Sequence, residues 1–578
     1  RVRSSAASDV YKRQNMNESK LCHILFKLSQ SSIESVQTGN GFSEIDNYLH
    51  TERPISSELL DRMIEIDQAR GGIILLVGSA GDGKSHLLSK VKSLGGNGWG
   101  AESFYNDATA SSSPNKTAIE TLKEALRDFS DENLYGTQKK KILAINLGKL
   151  NAFIDEPDIR AIYGEIAKAA DPLFDDDDTI PPLNTERVKI VEFTNKQLFE
   201  LYPDKEGYTA IASRFLSSIL DKLVSPTASG KENPFYAAYT EDLKNNISPK
   251  NPILLNYQLL MFPEVRRTIV LTVIEAIIRF KLAITPREYL DFIYSILVPM
   301  EISKYKENVS FYESLLPTLL YAGGANTILE AVSHLDPMKY SNTIHDKDLS
   351  LLFTSNRIPD GFLPVTSSGD KLPNVLLERV NKFYENNGRD VERTTKFLFR
   401  LQHVLCYHSE SATYNSFLKT LKGVFSNDFD EIQEVYNLVS ETISRHNGSY
   451  SQKANVVPLH IQGGRYKLFA QLQMEPLEPN YSFFVEKPWE FYPRFKLRWD
   501  IPNKEEVGLM MDYSLYSYLY DLRNGKLAVT YENEKNIEFS HFLRKLASLS
   551  DCAKKMTVVK VGSEDLTLQK TMISVQLQ

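Results

Sequence analysis

Residues 77–87, VGSAGDGKSHL, carry the spacing of a phosphate-binding loop. The pattern G-x-x-x-x-G-K-[ST] is met by Gly78, Gly83, Lys84 and Ser85, directly after an apolar run that reads as a strand. Glycines let backbone N–H groups turn towards phosphates, and the amino end of the following helix adds partial positive charge. The candidate phosphate ligands are Gly78, Ser79, Ala80, Gly81, Gly83, Lys84, Ser85 and His86.

The loop pattern predicts ATP and Mg²⁺ as ligands. We expect Lys84 to reach the β- and γ-phosphates and Ser85 to bind the metal ion. Asp82 would stand beside a polyanion, so we expect its carboxylate to point away from the phosphates. A glycine-rich strand-to-helix turn that binds nothing is the alternative interpretation.

Hydrolysis requires groups that the loop does not supply. P-loop ATPases commonly end a second apolar strand in an aspartate that supports the Mg²⁺ shell, often followed by a glutamate that polarises water. Here the best candidate strand, KILAIN, ends in Asn146, whose amide can hold a metal-bound water but cannot act as a base. The pair Asp155–Glu156 is a weaker substitute because the apolar run before it is short. Asp107 ends the second predicted strand, which we expect to lie far from the nucleotide.

Further polar residues are candidates for contacts with the γ-phosphate or its attacking water. Asn195 follows the fourth apolar run and would order water, with an ordinary helix cap as the alternative. Arg287 opens a helix behind Pro286 and is predicted to reach back to the nucleotide from a lid. The Arg266–Arg267 pair is a candidate for contacting a nucleotide in a neighbouring subunit of an oligomer, with a solvated helix face as the alternative.

Four apolar runs, separated by helical patterns, predict a parallel sheet around the loop. They are GGIILLV (71–77), SFYNDAT (103–109), KILAINLG (141–148) and VKIVEFTN (188–195). The predicted fold is an α/β P-loop NTPase domain with an AAA/ASCE-like parallel sheet, a helical lid and a helical region, followed by a β-rich α+β C-terminal domain. The predicted boundaries are 1–15 for a non-native leader, 16–70 for an N-terminal helical segment, 71–225 for the nucleotide-binding domain, 226–325 for the lid, 326–450 for the helical region and 451–578 for the C-terminal domain.

Composition narrows the classes of function. A net charge of −7 over 578 residues argues against a protein that coats nucleic acid unaided. The longest apolar stretch, 269–284, contains three charged residues and is too short for a bilayer span, so no membrane association is expected. Three cysteines in such a length indicate no disulfide framework, which favours a reducing cytoplasm.

Two other groups of residues are weaker signals. Arg494, Lys496 and Arg498 alternate with apolar residues, so they predict either a basic strand that faces DNA or the polar face of an ordinary antiparallel sheet. His403, Cys406 and His408 suggest a metal site, but core packing on an apolar helix is favoured because a fourth ligand is missing. No nuclease pattern is found.

Several segments together resemble the DptF family of bacterial DNA phosphorothioation-dependent restriction proteins. They are YLHTERPI (48–55), ILLVGSAGDGKSHLL (74–88), YNDAT (105–109), PNKTAIETL (114–122), FSDENL (129–134) and KILAINLGKLNAFI (141–154), within roughly residues 40 to 200. The resemblance implies a role in bacterial antiviral defence, where companion enzymes replace a non-bridging phosphate oxygen of host DNA with sulfur. It also implies the companion restriction subunits DptG and DptH, and that Asn146 is a family trait.

The expected function is therefore that of an ATP-binding subunit, with or without hydrolysis, of a phosphorothioate-dependent restriction complex that acts on unmodified DNA. Two alternatives stay open. One is a scaffold that is switched by nucleotide without hydrolysing it, and the other is a generic AAA-type signalling ATPase unrelated to DNA.

Overall fold

The computed structural model divides the chain into two compact units, Arg1–Phe199 with Ser213–His408, and Glu200–Ala212 with Ser409–Gln578. The structure describes residues 19–37, 44–79, 82–94, 98–106, 118–174, 182–193, 198–203, 209–228, 230–245, 250–299, 311–324, 326–340, 343–354, 358–359, 361–363, 371–385, 391–443, 445–446, 456–459, 466–479, 493–502, 504–526, 536–550, 555–560, 566–570 and 575–577. The fold is mixed α/β, with one all-parallel sheet in the first unit and antiparallel sheets elsewhere.

The first unit is built on a four-stranded parallel sheet in the order β2-β3-β1-β4. Its strands are β1 (Gly72–Gly78), β2 (Phe104–Tyr105), β3 (Lys140–Asn146) and β4 (Val188–Glu192). Every residue of β1 is buried, because helices cover both faces of a parallel sheet. The four apolar runs predicted as strands therefore form one sheet, although β3 ends at Asn146, where a helix begins, and not at Gly148.

Helices pack against both faces of this sheet. Ile74 and Leu76 of β1 contact α3 (Pro54–Gln68) and α4 (Lys84–Leu94). The alternate residues of β1 point to the opposite face. There they meet α5 (Ala118–Leu126), α6 (Leu147–Ile154), α7 (Pro157–Ile162) and α8 (Gly164–Ala170). The connection that leaves β1 thus runs over one face and the connection that leaves β3 runs over the other, which creates a topological switch point at the carboxyl ends of these two strands.

The rest of the first unit is helical. It contains α1 (Lys20–Gln37), α2 (Glu44–Leu49), α9 (Arg214–Val224), α10 (Pro234–Lys244), α11 (Pro252–Leu260), α12 (Pro263–Phe280), α13 (Pro286–Leu297), α14 (Leu316–Leu319), α15 (Thr327–Ser333), α16 (Thr343–Thr354), α17 (Asn374–Glu385) and α18 (Val391–Leu405), besides the two-residue strands β7 (Thr227–Ala228) and β8 (Lys231–Glu232). The buried carboxylate of Asp242 on α10 caps α1 from a distance, because it accepts hydrogen bonds from the Lys20 and Leu21 amides at 2.8 and 3.0 Å. These amides have no partner within their own helix, so the contact anchors the amino end of α1.

The second unit combines antiparallel sheets with helices. The strands β9 (Val456–Pro458), β10 (Tyr466–Gln471), β14 (Lys555–Lys560), β15 (Leu566–Lys570) and β16 (Val575–Leu577) form a sheet in the order β16-β15-β14-β10-β9, and β11 (Glu475–Leu477), β12 (Arg494–Asp500) and β13 (Val507–Asp512) form another. The helices are α19 (Ala412–Phe425), α20 (Phe429–Ile443), α21 (Tyr513–Arg523) and α22 (Ile537–Leu549).

One hairpin of the second unit comes from the middle of the first. Its strands are β5 (Glu200–Pro203) and β6 (Thr209–Ala212), within the segment predicted as nucleotide-binding domain. In the predicted C-terminal domain, residues 481–486 (YSFFVE) and 527–532 (LAVTYE) lie outside the described residues. None of the described helices combines the length and apolar character needed to cross a membrane.

The buried His446 of the second unit gives a prediction for stability. Its Nδ1 lies 2.7 Å from the Tyr518 hydroxyl, its ring packs against Phe539, and burial lowers its pKa to about 4. An unfolded histidine has a pKa of about 6.5, so the unfolded chain takes up a proton first as the pH falls. We therefore expect the free energy of unfolding to decrease between about pH 6.5 and pH 4.

Urea unfolding at pH 7 and pH 5, followed by tryptophan fluorescence, measures this decrease. His446→Gln removes the titrating group and keeps a side chain that can bond the Tyr518 hydroxyl, so its urea midpoint should fall less than that of the wild type. Equal losses in the two proteins would show that His446 does not carry the pH dependence.

Candidate functional site

The loop after β1 is held by its own lysine. The Lys84 Nζ donates hydrogen bonds to the carbonyl oxygens of Gly78 at 2.9 Å and of Ser79 at 2.5 Å. The Asp82 carboxylate turns back within the loop and accepts a hydrogen bond from the Ser79 amide at 2.5 Å. Of the predicted phosphate ligands, Ala80 and Gly81 lie outside the described residues. The Lys84 ammonium and the Asp82 carboxylate thus brace the turn from two sides.

The structure explains why glycine occupies both consensus positions of the loop, Gly78 and Gly83. A Cβ atom at Gly78 would lie 2.7 Å from the Asp82 Oδ2 and 2.8 Å from the Phe193 Cβ, closer than such atoms approach. Gly83 has a φ of +95°, a conformation that side-chain-bearing residues rarely adopt, and a Cβ there would meet nothing within 4 Å. Gly78 is therefore required by space and Gly83 by backbone conformation.

Ser85, in the first turn of α4, reaches the end of β2. Its hydroxyl lies 2.9 Å from the side-chain oxygen of Asn106, the residue that follows β2. The expectation that the end of the second strand lies far from the loop is thus wrong for Asn106, while Asp107 lies outside the described residues. Sequence reasoning did not identify Asn106 as a site residue because β2 is only two residues long. The feature that could have indicated it is the polar pair Asn-Asp directly after the apolar residues of SFYND.

Asn146 lies beside the loop, opposite Gly78 in the pairing of β3 with β1. Its side-chain oxygen accepts a hydrogen bond from the Gly148 amide at 2.9 Å and caps the amino end of α6. Because the oxygen is occupied, the Nδ2 group is left as the donor, and no described residue accepts a hydrogen bond from it. Such a donor suits a phosphate oxygen or a bound water, and it cannot remove a proton.

The other candidates of the parallel sheet are placed as follows. Asn195 lies outside the described residues, although the Phe193 amide donates to the Val77 carbonyl at 2.8 Å and brings the end of β4 beside β1. Asp155 and Glu156 are exposed in the turn between α6 and α7. They occupy a solvated turn and do not end a strand.

The predicted lid helix begins close to the loop. Thr285 and Glu288 form a capping box at the amino end of α13, with Pro286 in its first turn. Burial raises the pKa of the Asp82 carboxyl, and the negative charge of Glu288 raises it further. The first turn of α13 is therefore within electrostatic reach of the loop. Arg287 lies in this turn, half-buried, and burial lowers its pKa.

The side chain of His86 points to the segment that precedes α3. Its Nε2 lies 2.7 Å from the His50 Nδ1, and the Lys90 Nζ lies 2.6 Å from the His50 Nε2. An ammonium group only donates, so His50 accepts from Lys90 and donates to His86. Burial and the Lys90 charge lower the pKa of His50 to about 4, which keeps this ring neutral. The contact of the His86 ring with His50 is made through Nε2, and the backbone amide of His86, at the amino end of α4, stays a candidate phosphate ligand.

Arg266 is engaged within its own chain. Its Nε donates to the Asp221 carboxylate at 2.8 Å, and its Nη1 donates to the carbonyl oxygens of Leu260 and Met261 at the end of α11. Its neighbour Arg267 is exposed. Arg266 therefore has a structural role here, and Arg267 lies on the solvated face.

The basic strand of the second unit has one polar and one buried face. Arg494, Lys496 and Arg498 lie half-buried on one side of β12, whereas the residues between them are buried on the other. Arg498 also forms an ion pair with Glu506 at 3.3 Å. This is the arrangement of an ordinary antiparallel sheet.

His403 is a core residue of the first unit. It is buried, and its Nδ1 lies 2.8 Å from the Tyr321 hydroxyl. Its Nε2 donates to the backbone oxygen of His408 at 3.0 Å. Both ring nitrogens are engaged, which agrees with the packing interpretation.

The chemistry of the described side chains fits ATP and Mg²⁺. Ser85 and Asn106 offer oxygen atoms, the ligand type that Mg²⁺ prefers. Lys84 supplies a cation at the loop, and the loop leads into the amino end of an eleven-residue helix, where phosphate binds favourably.

Gly78→Ala tests the packing of the loop. The added methyl group cannot fit between Asp82 and Phe193, so we expect a loss of about 1–3 kcal/mol of stability. Differential scanning calorimetry measures the unfolding temperature. Gly136→Ala is the matched control, because its Cβ would meet no atom closer than 3.7 Å. Equal unfolding temperatures for the two variants would contradict the close packing at Gly78.

A comparison of the chain with protein-family models and with curated proteins finds no match.

Proposed function

We propose that the chain is the ATP-binding subunit of a phosphorothioate-dependent DNA restriction complex, built on a P-loop NTPase domain with an AAA/ASCE-like sheet. The observation that best supports a nucleotide site is the position of Lys84 and Ser85 at the amino end of α4, in the segment that follows the buried strand β1. Ligands of open α/β sheets bind at the carboxyl ends of the strands, where the direction of the connections reverses. That is the position of this loop.

Each residue of the site has a role in the proposal. The loop amides and Lys84 bind the phosphates, and Ser85 with Asn106 holds the Mg²⁺ ion and its waters. Bound Mg²⁺ would neutralise charge on the β- and γ-phosphates. Asn146 donates from its Nδ2 to the γ-phosphate or to a water beside it. Arg287, in the first turn of α13, is the candidate for a contact with the nucleotide from the lid. Asn195 is retained as a further water-ordering candidate.

The amide groups favour slow turnover. No described carboxylate is hydrogen-bonded to Ser85, whose side-chain partner is Asn106. An amide can hold a metal-bound water but does not accept its proton, so no described group bonded to Ser85 supplies the base that rapid hydrolysis uses. This observation favours the second candidate function, a scaffold whose conformation is switched by ATP without turnover.

The role in restriction rests on the resemblance of the quoted motifs to the DptF family. It implies a cytoplasmic bacterial complex with DptG and DptH that acts on DNA lacking the sulfur mark. We propose that DNA is reached through this complex, with the face of Arg494, Lys496 and Arg498 as the candidate contact. The generic signalling ATPase differs from this proposal in having no dependence on DNA or on companion subunits.

Lys84→Ala tests the nucleotide site. We expect the purified chain to bind a fluorescent ATP analogue in the presence of Mg²⁺, and the variant to bind at least about tenfold more weakly because a phosphate-facing cation is lost. Phosphate release measured on the same samples separates turnover from switching. Lys92→Ala, on the same helix, is the control and should bind like the wild type. Equal affinity of wild type and Lys84→Ala would end the proposal of a phosphate site at this loop.

Asn106→Asp tests the metal contact. A carboxylate beside Ser85 binds Mg²⁺ more strongly than an amide, so the Mg²⁺ concentration for half-maximal ATP binding should fall by about three- to tenfold. Asn133→Asp, in the exposed turn before the amino end of β3 and without a hydrogen bond to Ser85, is the control and should leave this concentration within about twofold of the wild type. Should the two variants shift it equally, Asn106 is not the residue that meets the metal shell.

A further inference from the structure

A second cation holds the loop from outside. Arg53 is the residue before α3, and its Nη1 donates a hydrogen bond of 2.9 Å to the backbone oxygen of Asp82. Among the described residues, this is the one hydrogen bond that the Arg53 side chain makes. The contact joins the segment before β1 to the loop that follows it.

The guanidinium group of Arg53 lies over two aromatic rings. Its central carbon is 5.3 Å from the ring centre of Phe193, just after β4, and 5.4 Å from that of Phe215 on α9. Burial lowers the pKa of Arg53 to about 10, so the group is still charged at neutral pH. No described carboxylate lies within ion-pair distance of it. The negative charge of the Asp82 carboxylate raises the pKa of Arg53 against this burial, although the two groups form no ion pair. Removing a cation from water still costs free energy, which the hydrogen bond to the loop and the aromatic contacts must offset.

The geometry of the peptide bond connects Arg53 to the phosphate side of the loop. No described peptide bond is cis, so the carbonyl of Asp82 and the amide N–H of Gly83 point in opposite directions. When Arg53 holds the carbonyl on one side, the Gly83 N–H is directed to the other. No described residue accepts a hydrogen bond from this N–H. Gly83 has a φ of +95°, and in this backbone conformation its N–H is the donor on the side of the loop away from Arg53.

The positive charge of Arg53 strengthens its effect on the Asp82–Gly83 peptide group. A hydrogen bond from a cation to a carbonyl oxygen is stronger than one from a neutral donor, and it polarises the peptide group. The polarised N–H on the far side becomes a better donor to an anion. Lys84 likewise donates charged hydrogen bonds to the carbonyls of Gly78 and Ser79 at the start of the loop, and polarises those peptide groups.

We propose that Arg53 is a positioning residue that presets the Gly83 amide for a phosphate group of the nucleotide. It does not touch the nucleotide itself. This inference rests on the proposed nucleotide site and deepens it, because it assigns the orientation of one loop amide to a residue outside the P-loop motif. Cation–π contacts with the rings of Phe193 and Phe215 help to keep the guanidinium in place.

The test compares three nucleotides in variants of Arg53. Arg53→Met removes the charge and the donor, and Arg53→Lys keeps both. Affinities for ATP and ADP come from a fluorescent ATP analogue and its displacement in Mg²⁺ buffer, with AMP as a competitor at high concentration. We expect Arg53→Met to weaken ATP and ADP by about tenfold and AMP by less than about twofold, since an amide directed at the terminal phosphates matters less when they are missing. Arg53→Lys should recover most of the loss.

The matched control is Arg62→Met, which removes an arginine from α3 whose ion pair with Glu65, at 2.8 Å, does not involve the loop. It should bind all three nucleotides like the wild type. Thermal unfolding without nucleotide reports on folding. An Arg53→Met protein that binds ATP and ADP as the wild type does would overturn the inference, and so would one that loses affinity for all three nucleotides equally. A wild type that binds neither ATP nor ADP would instead overturn the proposed function, and the inference with it.

Discussion

The backbone carbonyls at the end of β1 are the groups on which the site depends. A loop that presents its N–H groups to an anion must turn the matching carbonyls away, and those oxygens then need donors of their own. Lys84 supplies them for Gly78 and Ser79, and Arg53 for Asp82. Cations placed around the loop therefore hold its carbonyl oxygens, and the Asp82 carboxylate holds the Ser79 amide.

The parallel sheet makes this arrangement rigid. β1 is buried along its whole length between β3 and β4, and helices from both sides press on it. The residues at its end cannot move without disturbing that core. Phe193, which continues β4, reaches both Gly78 and Arg53, so packing and loop geometry are set by the same side chain.

The local part of this site could be predicted from sequence, and its long-range part could not. Strand β1, the loop and the helix behind it follow from contiguous residues, as does the capping box that opens α13. The contacts of Ser85 with Asn106 and of Arg53 with Asp82 join residues that are 21 and 29 positions apart. Their prediction requires the order of strands in the sheet, and hydrophobic periodicity gives each strand without its neighbours.

The division of the chain into two units also depends on long-range contacts that local sequence does not show. The hairpin β5–β6 belongs to the second unit although it is inserted between β4 and α9 of the first. Composition does not change at its ends, so the sequence offers no boundary signal there. The antiparallel strand β12, by contrast, lies where alternation of polar and apolar residues predicted it.

Two asparagines at neighbouring strand ends set the chemical character of the site. Asn106 takes the position beside Ser85, and Asn146 uses its oxygen as a helix cap, which leaves a nitrogen donor near the loop. A carboxylate at either position would attract Mg²⁺ and accept a proton, whereas an amide does the first weakly and the second not at all. In the proposed function, the loop amides and Lys84 would then supply the remaining attraction for a nucleotide, through its phosphates. Amides at both described positions favour binding over hydrolysis, which is the property that the proposed nucleotide-switched scaffold requires.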